Sequence, residues 1–151
     1  MARESMRFLK EEIAQAEGLT PELFHRIVSH TCPRYPDAHS LPIYNQMREH
    51  VAHASWLAAL QCLVEIRLPH WRIQGITCEG GRWTCAICLR WFPPSWQNTI
   101  CRGDHAFFEL AMLAAYLETV EHAAGIDAEL GNVRPIRPAG PQPVVISSRS
   151  R

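Results

Sequence analysis

The chain has 151 residues, 47% of them hydrophobic and 20% charged, which is the size and mix of one soluble globular domain. Fifteen basic side chains balance fifteen acidic ones, so the chain lacks the net positive field expected of a nucleic-acid or acidic-membrane binder. No stretch holds the run of about eighteen apolar residues that a membrane span needs, because Gln61, Glu65 and Glu109 interrupt the longest candidates.

Met1 to Glu12 is charged throughout and has no signal-peptide core, which points to the cytoplasm. Residues 2–16 set Met6, Phe8, Leu9, Ile13 and Ala14 in a helical pattern. Thr20 is a helix N-cap before Pro21, and the helix it opens is expected to run to about Ser29. Residues 31–41 carry Pro33 and Pro36 and read as a loop. From Pro42 to Arg67 the steps Met47, Val51, Ala54, Leu57, Leu60 and Val64 predict one long helix, ended by Pro69. Residues 71–78 and 82–91 predict two strands around Glu79-Gly80-Gly81, since a Gly-Gly turn supplies the positive φ of a tight hairpin. Pro93-Pro94 stops the second strand, and an irregular loop is expected up to Gly103. Asp104 is read as the cap of a last helix holding Phe107, Leu110, Leu113, Leu117, Val120 and Ala124, with Gly125 as its terminator. Residues 132–151 are rich in proline and arginine and read as a flexible tail.

The expected fold class is α+β: a two-stranded antiparallel hairpin packed with two long helices, preceded by a short N-terminal helical hairpin. Residues 1–131 would form a single globular domain, with a helical hairpin at 1–31 and a helix-strand-strand-helix unit at 42–125. Simple alternation about the Gly-Gly turn puts Arg72, Gln74, Ile76, Cys78, Trp83, Cys85, Ile87 and Leu89 on one face of the hairpin. Trp71, Ile73, Gly75, Thr77, Thr84, Ala86, Cys88 and Arg90 then take the other. A lone hairpin is marginal, so helices or a second chain must complete the sheet, and a homodimer through the hairpin is one way to do so.

Six cysteines invite a metal or disulfide reading. Cys85-Ala86-Ile87-Cys88 is a CxxC, flanked by Cys78 and Cys101. A zinc knuckle needs a tight turn between its two thiolates, yet the run from Trp83 to Trp91 alternates like a strand. Side chains three apart on a strand face opposite sides, so Cys85 and Cys88 are expected as buried thiols, with no metal bound. No cofactor is expected.

The order of long helix, tryptophan-led strand, Gly-Gly hairpin and closing helix with Glu109-Leu110-Ala111-Met112-Leu113-Ala114-Ala115 resembles the phage ABA-sandwich domain proteins. The likeness covers about residues 42–124 and implies a small protein of a phage or mobile element, working in the host cytoplasm, with no catalytic motif to carry over. Ile13 to Ile27 is similar to a helix-turn-helix: Ala14 where the helices would cross, Gly18 in the turn, and Leu19, Phe24 and Ile27 as pinning positions. That likeness implies DNA contacts by Thr20, His25 and Arg26. Against it, the five basic residues in 1–35 are cancelled by five glutamates, and Glu22 on the outward face would repel phosphate.

There is no nucleophile elbow, P-loop, His-Glu-x-x-His or dinucleotide fingerprint. His50 and His53 on one helix, and Glu118, Glu121 and His122 on another, would make a metal site only if the two helices were antiparallel neighbours. His25, His30, Cys32 and His39 match no zinc spacing. Arginine and tryptophan adjoin at Trp71-Arg72, Arg82-Trp83 and Arg90-Trp91, with Trp96 beyond. Such pairs stack single-stranded bases or form protein hot spots. Three functions follow. The first is a non-enzymatic accessory protein of a phage or mobile element that binds a host protein or complex, such as a CRISPR complex it inhibits, through Arg90, Trp91, Trp96 and Arg102. The others are a helix-turn-helix DNA-binding regulator and a small metal-dependent enzyme using the helix histidines.

Overall fold

In the computed structural model, which describes residues 2–32, 38, 40–90, 100–130 and 145–149, the chain opens with helices α1 (Ala2–Gln15) and α2 (Pro21–Thr31). Met6, Leu9 and Ile13 lie three and four apart and bury one face of α1, while Phe8 stays 69% exposed. The Thr20 hydroxyl accepts the Leu23 N–H at 3.2 Å, the N-cap that its sequence context predicts. Ala14 is exposed, so the close helix crossing expected there is not made.

The long helix expected over 42–67 is two helices, α3 (Leu41–Ala52) and α4 (Trp56–Arg67). Ala54 takes a left-handed φ of 54°. Around it the Ser55 N–H bonds the His50 carbonyl at 2.8 Å and the Ala54 N–H bonds that of Val51 at 3.1 Å, a helix-closing pattern that normally uses glycine. The break lets α3 fold back on α4 and sit beside α2.

β1 (Trp71–Glu79) and β2 (Arg82–Leu89) form the expected hairpin, with φ of 60° at Gly80 and 79° at Gly81. The sheet is larger than a hairpin. β3 (Ile100–His105) pairs antiparallel with β2, where an irregular loop and a helix cap were expected. Asp104 therefore lies within a strand, and the corner into α5 (Phe108–Leu130) is made by His105, whose Nδ1 accepts the Phe107 N–H at 3.0 Å. Gly125 does not end α5, which continues to Leu130. β4 (Val145–Arg149), expected within the flexible tail, lies parallel to β1, giving the order β3-β2-β1-β4. The rest of the tail lies outside the described residues.

A bulge corrects the expected faces. Ile73 pairs with Ile87 but Gly75 with Ala86, so Gln74 and Gly75 together oppose one residue. The extra residue shifts alternation by one, and Trp71 and Ile73 join Ile76, Cys85, Ile87 and Leu89 on the buried face. Helices α4 and α5 cover that face. Leu110, Leu113 and Leu117 of α5 are at most 1% exposed.

Two contacts locate α5. A Cβ built on Gly103 would overlap the Ala115 nitrogen and lie 2.6 Å from the Ala114 carbonyl carbon and 2.8 Å from the Ala111 oxygen, so β3 rests directly on the helix backbone. On the far side the Tyr116 hydroxyl donates to Thr31 Oγ1 at 2.7 Å, and Thr31 passes its own proton to the Ile27 carbonyl at 2.8 Å. Arg67 Nε closes the group by donating to the Thr31 carbonyl at 2.9 Å, so α2, α4 and α5 share one buried polar knot.

Gly103→Ala should lower stability by about 3 kcal/mol or prevent folding, because the neighbouring atoms are backbone and cannot rotate away. A urea midpoint within experimental error of the parent would refute the close packing. Ala54→Gly should act oppositely and raise stability by about 1 kcal/mol, since glycine carries no left-handed penalty. A lower melting temperature would show that Ala54 is not strained.

Candidate functional site

The outward face of β1, β2 and β3 carries no helix among the described residues, because α4 and α5 both lie on the other side. Register lines up Asp104, Thr84 and Thr77 in one row across it, then Arg102, Ala86 and Gly75, then Ile100, Cys88 and Arg72. The middle of this face is therefore a floor of small groups, with arginines towards its edges. Arg82 gives Asp104 two bonds, 2.9 and 3.1 Å, across the exposed end. Both partners are well exposed, so the pair positions the arginine more than it stabilises the fold. Arg102 is exposed and makes no hydrogen bond or ion pair among the described residues.

Strand alternation separates the arginine–tryptophan neighbours noted in the sequence. Trp71 is 1% exposed and meets the His122 ring edge-on at 6.2 Å, while Trp83 meets Phe108 edge-on at 5.2 Å. Both indoles belong to the helix-covered side, and Arg72 and Arg82 take the outward one. Neither indole is placed to stack a base. Arg90 is half-buried, and its Nε donates to the Trp71 carbonyl at 2.9 Å. Arg90 thus stands at one end of the face and Arg102 in its middle row on β3, and Trp91 and Trp96 lie outside the described residues. Simple alternation already puts Gly75, Thr77, Thr84 and Ala86 on one face; what the bulge changes is that Arg72, in place of Trp71 and Ile73, joins them there.

The residues of the DNA-binding alternative are engaged locally or dispersed. The Thr20 hydroxyl caps α2, and Arg26 is paired with Glu12. His25 is exposed beside an open cleft of about 550 Å³ that Asn45, Arg48 and Glu49 also line. The histidine–carboxylate cluster does not assemble either. His53 Nδ1 stands 2.9 Å from the Glu49 carbonyl, while Glu118 and Glu121 accept from Lys10 Nζ at 2.7 and 2.6 Å. Partial burial pulls the Lys10 ammonium down, but its two glutamates together outweigh this and hold it above its ordinary value. Among the described residues no three His, Cys, Asp or Glu side chains stand close enough to hold a metal ion.

Cys85 and Cys88 face opposite sides of β2, Cys85 in register with Ile76 and Gly103, Cys88 with Arg72 and Ile100. Burial pushes the Cys85 thiol up to about 12. Burial also raises Cys88, against the nearby Arg72 charge, and raises Cys32 against its bonds to Thr31 and Tyr116. Cys62 and Cys101 go the same way, again through burial first. These thiols are held neutral by burial, Cys88 on the outward side and the others in or against the core, with no activated nucleophile among them. In comparisons with family models, curated proteins and solved structures, nothing matches this chain.

The thiols carry a pH prediction. Above their ordinary value of 9.0 they ionise in the unfolded chain while burial keeps them protonated in the folded one. The folded state then binds more protons, so stability falls as pH rises. Cys85 alone accounts for on the order of 2 kcal/mol by about pH 11. Under reducing conditions the melting temperature should be flat from about pH 7 to 8 and fall steadily from about pH 9 to 11. A flat profile through that alkaline range would contradict the thiols' burial.

Proposed function

We propose that this protein is a non-enzymatic binding module whose outward sheet face receives a protein partner. One observation carries the reading: a floor of Gly75, Thr77, Thr84 and Ala86 edged by Arg72, Arg82 and Arg102 lies on the side of the sheet opposite its helices. Small side chains let a partner's backbone approach closely, and arginine is among the residues that most often dominate binding energy. Arg102 supplies an exposed guanidinium with nothing within the described molecule to release first. Among the described residues the thiols are raised by burial and the histidines dispersed, so neither group favours a catalytic reading. From the likeness of residues 42–124 to the phage ABA-sandwich proteins, the partner we propose is a host protein or complex, and inhibition of a host defence such as CRISPR is the corresponding role.

Arg102→Glu and Ala86→Arg test the face from two directions, one by charge and one by bulk. Each should weaken capture of the partner at least about 30-fold, or about 2 kcal/mol, at an unchanged melting temperature. Equal capture by the parent and both variants would place the contact elsewhere. Affinity for DNA that falls steeply with added salt would favour the helix-turn-helix regulator instead.

A further inference from the structure

We propose that the C-terminal strand β4 is exchangeable between molecules: the β1 edge that it covers accepts the same strand from a second copy of this chain. Three features of the sheet support this. First, β4 is five residues long and, among the described residues, pairs with β1 alone, through Gly75–Glu79. Second, the pairing is parallel, which a tight turn cannot make; a crossover connection has to carry the chain from one strand to the other. Third, fourteen residues, 131–144, lie between α5 and β4. Extended, they reach about 46–50 Å, further than the roughly 36 Å width of a domain this size. The strand can therefore be seated on its own β1 or on a neighbour's.

The edge itself favours occupation. Without β4, Gly75–Glu79 would present unpaired N–H and C=O groups beside the fully buried Ile76, an open template for another strand. The bonds gained are identical whether the incoming strand is the chain's own or a second copy's. The choice then depends on concentration alone. A connection of this length holds the strand at an effective concentration of order 1 mM, so the chain's own strand prevails in dilute solution and exchange grows as the protein approaches that concentration.

Register supplies the probe. Ser148 lies opposite Cys78, whose thiol is free and half-exposed, and facing residues of neighbouring strands fall within disulfide range. One full-length copy carrying Cys78→Ser and Ser148→Cys is mixed with the parent, which keeps Cys78, and oxidised glutathione is added as the oxidant. In that mixture a bond between Cys78 and the new thiol at position 148 can form only between molecules. The expected product is a linked dimer, mapped to those two positions by mass spectrometry and at least tenfold more abundant at about 1 mM than at about 10 μM. Ser148→Cys alone should instead close the bond within one molecule at the lower concentration.

Absence of the linked dimer up to about 1 mM would overturn exchange. So would an equal yield from Ser147→Cys, whose register partner is Thr77. Failure of Ser148→Cys to close internally would overturn the β1–β4 pairing itself. The outward face can lose its partner on Arg102→Glu without any of these results changing, so the binding proposal and the exchange proposal fail separately.

Discussion

The molecule is organised around the place where β3 lies on the backbone of α5. Gly103 meets Ala111, Ala114 and Ala115 with no room for a side chain on the strand. Strand and helix can approach this far only because each presents almost nothing there: glycine on one side, alanines on the other. The closeness brings α5 against β2 as well, so Leu110, Leu113 and Leu117 are sealed against the sheet. Tyr116 is carried to the far side of the helix, where Thr31 and Arg67 meet it. One helix thus joins the sheet to the N-terminal helices, and the run of small residues is what permits it.

Placing every helix on one side of the sheet has a consequence for the other. The bulge at Gln74 turns Trp71 and Ile73 inward, and without it these two large apolar groups would stand on the open face. The outward face keeps threonine, alanine and arginine, with Ile100 and the buried Cys88 at one end. A surface with so few large apolar groups is only weakly driven into association by the hydrophobic effect. Under the proposed function, binding there draws on close approach and charge, which suits reversible contact better than permanent burial in an oligomer.

Much of this was legible in the residues. Period-two alternation and Gly80-Gly81 located the hairpin, and Thr20 located the start of α2, because each is a local signal with one physical cause. What was missed depends on partners distant in the chain. Gly103 reads as a breaker unless the helix lying against it is known, and that hid β3 and moved the expected helix start to Asp104. Ala54 gave no sign of a helix end because alanine seldom takes a left-handed φ. The bulge leaves no mark in composition, yet one extra residue reverses the face of every residue on the N-terminal side of β1. Alternation by itself separates Trp71 from Arg72 and Arg82 from Trp83, but only the bulge decides that Trp71 is the one that faces the core. Of the candidate site residues, Arg90 and Arg102 do border the outward face, while the row that links its two edges could be read only from register.

Net charge was the ground for excluding whole classes of partner, and the fold changes what it means. On the helical side four carboxylates are met by cations: Glu118 and Glu121 by Lys10, Glu11 by Arg7, and Glu12 by Arg26. The sheet face holds Arg72, Arg82 and Arg102 against Glu79 and Asp104, and Asp104 is already engaged by Arg82. Among the described residues the outward face thus carries a small positive surplus, with Arg72 and Arg102 outside any ion pair. Screening limits any partner's view to about 8 Å at physiological ionic strength, so an approaching surface meets the local sign and not the sum. Three spaced guanidiniums fall well short of the phosphate neutralisation that sustains nucleic-acid affinity, but they complement a few carboxylates on a protein with good geometry. On the reading proposed above, this local charge favours an acidic protein surface as partner, with the arginines setting orientation and the small-residue floor setting how near it can come.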